Sequence, residues 1–180
     1  PKLEAFPGVP VRITQEIPAK TVSELEPDTF VFDLGQNFAG TIRLKVKGRE
    51  GERIQLRYGE MLHPDGRLMT ENLRKARATD YYTCKGDPDG EVYQSRFTFH
   101  GFQFVEVKRL PDSNENAGGA SAEASGGTPP LDMVTGLVLH SDTPMASTFE
   151  CSDSMVNQLF KNVVWTQRAN FLDLPTDCPQ

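Results

Sequence analysis

The chain has few of the residues that mark a chemical site outright. Only three of its 180 residues are cysteine, three are histidine and one is tryptophan. Cys84, Cys151 and Cys178 are odd in number and widely spaced, with no CxxC pair. That spacing excludes a zinc ribbon or thioredoxin-type motif and leaves free core thiols as the plainer reading. GxSxG, P-loop, HExxH and dinucleotide fingerprints are all missing, so no motif calls for a metal or cofactor. No apolar run approaches the roughly 18 residues of a membrane helix. Lys and Arg number 19 against 25 Asp and Glu, for a net charge of -6, and they are scattered. This argues against nucleic acid as the main partner. The acidic balance serves solubility.

What the chain does have is alternation. With 37% apolar residues and 15 Gly it can pack one domain, or one plus a fragment. From Val11 to His140 the dominant period is two. In residues 41–47, Ile42, Leu44 and Val46 share one face while Arg43, Lys45 and Lys47 share the other. Residues 53–58 alternate again beyond the turn Gly48-Arg49-Glu50-Gly51, which predicts an antiparallel hairpin. Gly35-Gln36-Asn37 predicts a turn after the strand at 31–34. Further strands are expected at 80–84, 92–99, 102–110 and 133–139, with His100-Gly101 turning between the middle two. About eight short strands with regular turn signals predict an antiparallel two-sheet β-sandwich or jelly roll.

Two segments interrupt this pattern. Residues 68–79 are polar and basic, a crossover loop or short helix. Residues 112–130 hold no large apolar residue and read as a mobile surface insertion. After Pro144 the period changes. Val156, Leu159, Phe160, Val163 and Val164 form a helical stripe, with Ser152 as N-cap and Cys151 and Val156 as a hydrophobic staple. The helix should end near 170–172. One helix cannot bury such a stripe by itself, so it packs on the sandwich or meets further helices. Behind it, a turn bracketed by Pro175 and Pro179 reads as the doorway of a larger domain.

Candidate chemistry is sparse. Glu60 and His63 have a Glu-x-x-His spacing but sit at a strand end before Pro64-Asp65-Gly66, which favours a surface hairpin. Residues 87–91 crowd carboxylates without the ligand spacing of a calcium loop, which favours a turn. His100 lies between aromatic strands, within conceivable reach of a carboxylate. Tyr81, Tyr82, Tyr93, Phe97, Phe99, Phe102 and Phe104 would serve a sugar-stacking platform or a core. Alternation favours the core for the four Phe and leaves Tyr93 the freer candidate. For Asp177 a solvated terminal carboxylate and a site residue are equally open.

Several segments, in order, carry a resemblance. They are Phe32-Asp33-Leu34-Gly35-Gln36-Asn37-Phe38-Ala39-Gly40, Arg57-Tyr58-Gly59-Glu60-Met61-Leu62, Phe97-Thr98-Phe99-His100-Gly101-Phe102, and Phe149-Glu150-Cys151-Ser152-Asp153. The last is Trp165-x-x-Arg168-x-Asn170-Phe171, ending in Pro175-Thr176-Asp177-Cys178-Pro179-Gln180. The chain resembles bacterial α-L-rhamnosidases of glycoside hydrolase family 78, over roughly 29–180 apart from the Ser/Gly insertion. The resemblance implies a lead-in at 1–28, a concanavalin-like β-sandwich at 29–145, and at 146–180 the first helix and turn of an (α/α)6 catalytic domain. It implies hydrolysis of terminal α-L-rhamnosides with inversion by two carboxylates, both beyond residue 180, so no catalytic residue is expected here. It implies that Asp177 binds rhamnose hydroxyls. Expected partners are rhamnose-containing glycosides or polysaccharides and the remaining catalytic domain, with no nucleic acid, membrane, metal or cofactor. An independent carbohydrate-binding module and a purely structural interface domain are the rival readings. The compartment stays open, with free thiols favouring a reducing one.

Overall fold

The computed structural model describes residues 2–5, 7–110 and 128–179. The insertion expected at 112–130 lies almost wholly outside them. The strands are β1 (Val11–Pro18), β2 (Thr21–Glu26), β3 (Thr29–Val46), β4 (Arg53–Gly59), β5 (Thr79–Thr83), β6 (Glu91–Gln94), β7 (His100–Leu110) and β8 (Val134–Ser141). Helix α1 (Ser154–Ala169) follows, then two short strands, β9 (Phe171–Leu172) and β10 (Leu174–Pro175). The class is as expected: mainly antiparallel β with one helix.

All eight longer strands share one curled sheet, in the order β1-β8-β3-β7-β4-β5, with β2 and β6 also on β3. The 18-residue β3 makes the curl. Its first half pairs with β2 on one side and β7 on the other; its second half pairs with β8 and β6. Between the halves the register against β7 jumps from Asp33 to Phe38. Gly35 takes a φ of 68° there, a conformation cheap only for glycine. The Asp33 carboxylate accepts the Gly35 N–H at 2.6 Å and the Gln103 amide at 2.9 Å. The expected turn at 35–37 is thus a bulge that bends one continuous strand. It also resets the phase of β7, where Phe102, Val105 and Val107 are all buried.

The core lies inside the curl. Phe32, Leu34, Phe38, Ile42, Leu44, Ile54, Leu56, Tyr58, Phe102 and Val105 are each 1% exposed or less. Phe38 packs on Phe102 at 4.7 Å between centroids. Apolar burial of this kind supplies roughly 25 cal/mol per Å².

Two expected pairings are corrected. β3 and β4 form no hairpin; β4 pairs with β5 and β7. Their connection ends in Glu52, which is buried and ion-paired with Arg109. That anchor carries the chain across the core rather than back along β3. Strands β6 and β7 do not pair with each other either. They follow one another along the same side of β3, and residues 95–99 leave the sheet between them. Strands β1 and β2, in the expected lead-in, are full members of the sheet.

Helix α1 lies along β3 and β8. Its N-cap is Asp153 rather than Ser152, with the carboxylate accepting the Met155 N–H at 2.8 Å. Cys151 is not part of a staple. It is exposed, and its backbone is held at both ends by the Asn157 amide, at 2.9 and 2.7 Å.

Gly40 sits where β3 meets β8, and a Cβ there would fall on the Leu137 carbonyl oxygen. Gly40→Ala should destabilise the chain by about 2–3 kcal/mol, read from the urea midpoint. An unchanged midpoint would contradict the packing described.

Candidate functional site

The segment behind α1 carries the candidate Asp177. The C-cap Asn170 closes the helix and accepts the Thr176 N–H at 2.8 Å on its carbonyl. Leu172 pairs with Leu174 and Phe171 with Pro175 around Asp173, so helix exit and return strand form a tight hairpin. Asp177 follows directly and is exposed. Among the described residues its carboxylate accepts only a long contact, 3.6 Å, from the Cys178 thiol. Both oxygens can therefore accept hydroxyl donors from a ligand.

A buried polar cluster stands elsewhere, at the junction of β4, β5 and β7. Asp80 accepts from the Tyr58 hydroxyl at 3.0 Å and from Ser95 Oγ at 2.9 Å, and lies 3.3 Å from His100 Nε2. His100 stacks on Tyr58 at 4.2 Å. Burial pushes the Asp80 carboxyl up. The hydrogen bond and charge of His100, with Ser95 and Tyr58, outweigh it and hold Asp80 below its ordinary value. Burial first, then Asp80, raises the Tyr58 phenol well above its ordinary value. Ser95 bonds the carboxylate rather than the imidazole, so this is no relay to a nucleophile. It is a clamp tying residues 95–99 to the sheet. The sequence leaves open whether His100 meets a carboxylate; in the structure it meets Asp80. Its signal was parity, because Asp80 alternates in phase with Tyr82 and Cys84, on the inward face.

Other candidates resolve into structure. Glu91 accepts the Tyr82 hydroxyl and the N–H groups of Lys85 and Gly86 at 2.9 and 3.0 Å. Its oxygens close the 87–90 turn from within. Glu60 bonds the Asn37 and Asn72 amides, and His63 faces Glu71 at 3.2 Å, at the expected hairpin end. A groove of about 390 Å³ beside that hairpin is lined by charged groups including Arg57, Glu106 and Lys108. They pair among themselves: Arg57 with Glu106, Lys108 with Glu26, Arg67 with Asp65. The aromatic platform does not form. Tyr93 stacks on Tyr82 at 4.6 Å against the core. Phe102 is buried, Phe99 and Phe104 are half-buried, and Phe97, expected in the core, is fully exposed on the 95–99 loop. Of the three thiols only Cys84 is buried; burial, then Glu52 and Glu91, push it to about 11. Among the described residues no group of three or more metal-ligating side chains gathers.

The profile of the bacterial α-L-rhamnosidase concanavalin-like domain matches residues 23–140. The chain belongs to the bacterial α-L-rhamnosidase family. The family's six-hairpin glycosidase domain matches 144–180, the stretch that holds α1, the hairpin and Asp177. An α-L-rhamnosidase of Streptomyces avermitilis is 46% identical over 170 residues, covering 94% of this chain and 15% of that protein. One from Formosa agariphila is 39% identical over 156 residues, covering 87% and 15%. The Streptomyces avermitilis enzyme solved with L-rhamnose superposes with a TM-score of 0.83 over 96% of this chain and 15% of its own. The Dictyoglumus thermophilum enzyme superposes at 0.84, with 36% identity, over 96% and 18%. This rhamnosidase-family chain thus spans about 15% of the length of these curated relatives.

The Asp80 clamp yields a pH prediction. Because the folded carboxyl sits below its ordinary 3.8, its stabilisation is complete above that value and is lost as the pH falls through the lower folded value. Asp80→Asn should cost about 2–3 kcal/mol at neutral pH and flatten the acid limb of the stability curve. An acid limb identical in parent and variant would refute the assignment.

Proposed function

We propose that this chain is a supporting portion of an α-L-rhamnosidase, acting on terminal rhamnose of glycosides or polysaccharides with inversion. In this reading the sandwich at 29–145, completed by strands from 1–28, is a non-catalytic wall. Residues 146–180 open the catalytic domain, and the two catalytic carboxylates lie outside this chain. Asp177 takes rhamnose hydroxyls on its two oxygens, a geometry suited to a vicinal diol.

One observation carries the reading. On α1, Phe160, Val164 and Trp165 are half-buried, while Met155, Val156, Leu159 and Val163 are 40–79% exposed. A helix apolar on two sides is built for two neighbours. The sheet is one. The match of this segment to a six-hairpin domain supports further helices of that domain as the other.

The rival reading, an independent sugar-binding module, lacks a platform, since Tyr93 is packed and the polar groove is internally paired. The chain alone should show no turnover of an aryl α-L-rhamnoside above a catalyst-free control, and activity surviving repurification would overturn the assignment. It should bind a separately expressed six-hairpin domain. Leu159→Glu should weaken that binding more than tenfold, from the roughly 1.5–3 kcal/mol of one buried Leu. The same variant should leave the chain's own stability within about 0.5 kcal/mol. Equal binding by parent and variant would contradict the proposed seat.

A further inference from the structure

The hairpin that delivers Asp177 is held at two points, one of them on the sandwich. At its base Asn170 receives the Thr176 N–H. At its tip Asp173 has a φ of 68°, the left-handed region that Asp tolerates better than most residues. The Asp173 N–H is donated outward, to Ser141 Oγ at 2.9 Å. Ser141 ends β8 and is 8% exposed. Its backbone is fixed in turn. The Ser141 carbonyl accepts His140 Nδ1–H at 2.7 Å, and His140 Nε2 meets the Thr14 hydroxyl on β1 at 2.8 Å.

Besides these bonds the hairpin rests on α1 and β8 through its first strand. Its strands are two residues each, too short for independent stability. Of its apolar side chains, Leu172 is half-buried, while Phe171 is 43% exposed and Leu174 71%. Without the tip bond, the hairpin would pivot about Asn170, and Asp177 would move with it.

We infer that Ser141, on the sandwich, is a positioning residue for sugar binding: it sets the angle of the β9–β10 hairpin and so the place of Asp177 against the sugar. This rests on the reading that Asp177 contacts rhamnose. It gives the sandwich a role in affinity as well as support, through one hydroxyl. Misplacing a binding group by about 1 Å can cost up to a hundredfold.

The test is steady-state kinetics of the complete enzyme on an aryl α-L-rhamnoside, with Ser141→Ala, Ser141→Thr and Asp177→Asn compared. Ser141→Ala should raise KM about tenfold, the worth of one well-made hydrogen bond, with kcat and Tm close to the parent's. Ser141→Thr, which keeps the hydroxyl, should restore KM. A parental KM in Ser141→Ala beside a raised KM in Asp177→Asn overturns the inference and leaves the sugar contact standing. A parental KM in Asp177→Asn, or an unsubstituted enzyme without turnover, overturns the sugar-contact reading itself. Should Ser141→Ala fail to fold, amide hydrogen exchange on the unsubstituted chain decides. The Asp173 amide should exchange at least about tenfold more slowly than that of exposed Asp177; equal rates overturn the anchor.

Discussion

Strand β3 is the constraint on which the rest of the molecule depends. One backbone of 18 residues serves four neighbours, β2 and β8 on one side and β7 and β6 on the other. It can do so only because it bends in the middle without breaking. The bend is local chemistry: a left-handed Gly35, and an Asp33 carboxylate that holds both the Gly35 N–H and the Gln103 amide. Four residues of β3, 34–37, stand against the single Gln103 of β7. Leu34, within the bulge, is fully buried. The curl that follows encloses the core and presents the outer surface of β3 and β8 to α1.

Helix and hairpin are built outward from that surface. Thr41 and Leu137, paired across β3 and β8, are at most 1% exposed. Helix α1 packs on these same two strands. Beyond the helix, the hairpin returns to Ser141 at the end of β8. Three carboxylates of the sandwich, meanwhile, hold it together: Asp80 binds Tyr58, Ser95 and His100, Glu91 its own turn, and Glu52 Arg109. Groups so fully engaged are poor candidates for ligand chemistry, and the exposed carboxylate of Asp177 is a better one.

Much of this was legible in the residues, and the failures have physical causes. Alternation reports which face a side chain takes but not which strand lies beside it. Strands at 41–47 and 53–58 were therefore visible while their partners were not. Gly35-Gln36-Asn37 carries turn chemistry, and only the tertiary pairing of both flanks made it a bulge. Phe97 keeps the parity of Tyr93, yet the ladder ends at Gln94 because Ser95 is drawn to Asp80. The helix was legible because its period is long and its end is marked by Asn170. Its cap slipped one residue because Ser152 and Asp153 are both competent. Asp177 could not be assigned from composition or spacing, since a lone exposed carboxylate has no local signature; only the family resemblance singled it out.

In the proposed reading the sandwich seats helix α1 and, through it, the turn that carries Asp177. A crystal structure of the complete enzyme with L-rhamnose tests it most directly. Both Asp177 oxygens should lie within about 3 Å of sugar hydroxyls, with the Ser141–Asp173 bond intact and Leu159 and Val163 buried under neighbouring helices. Rhamnose bound away from Asp177, with the α1 stripe still open to solvent, would contradict it.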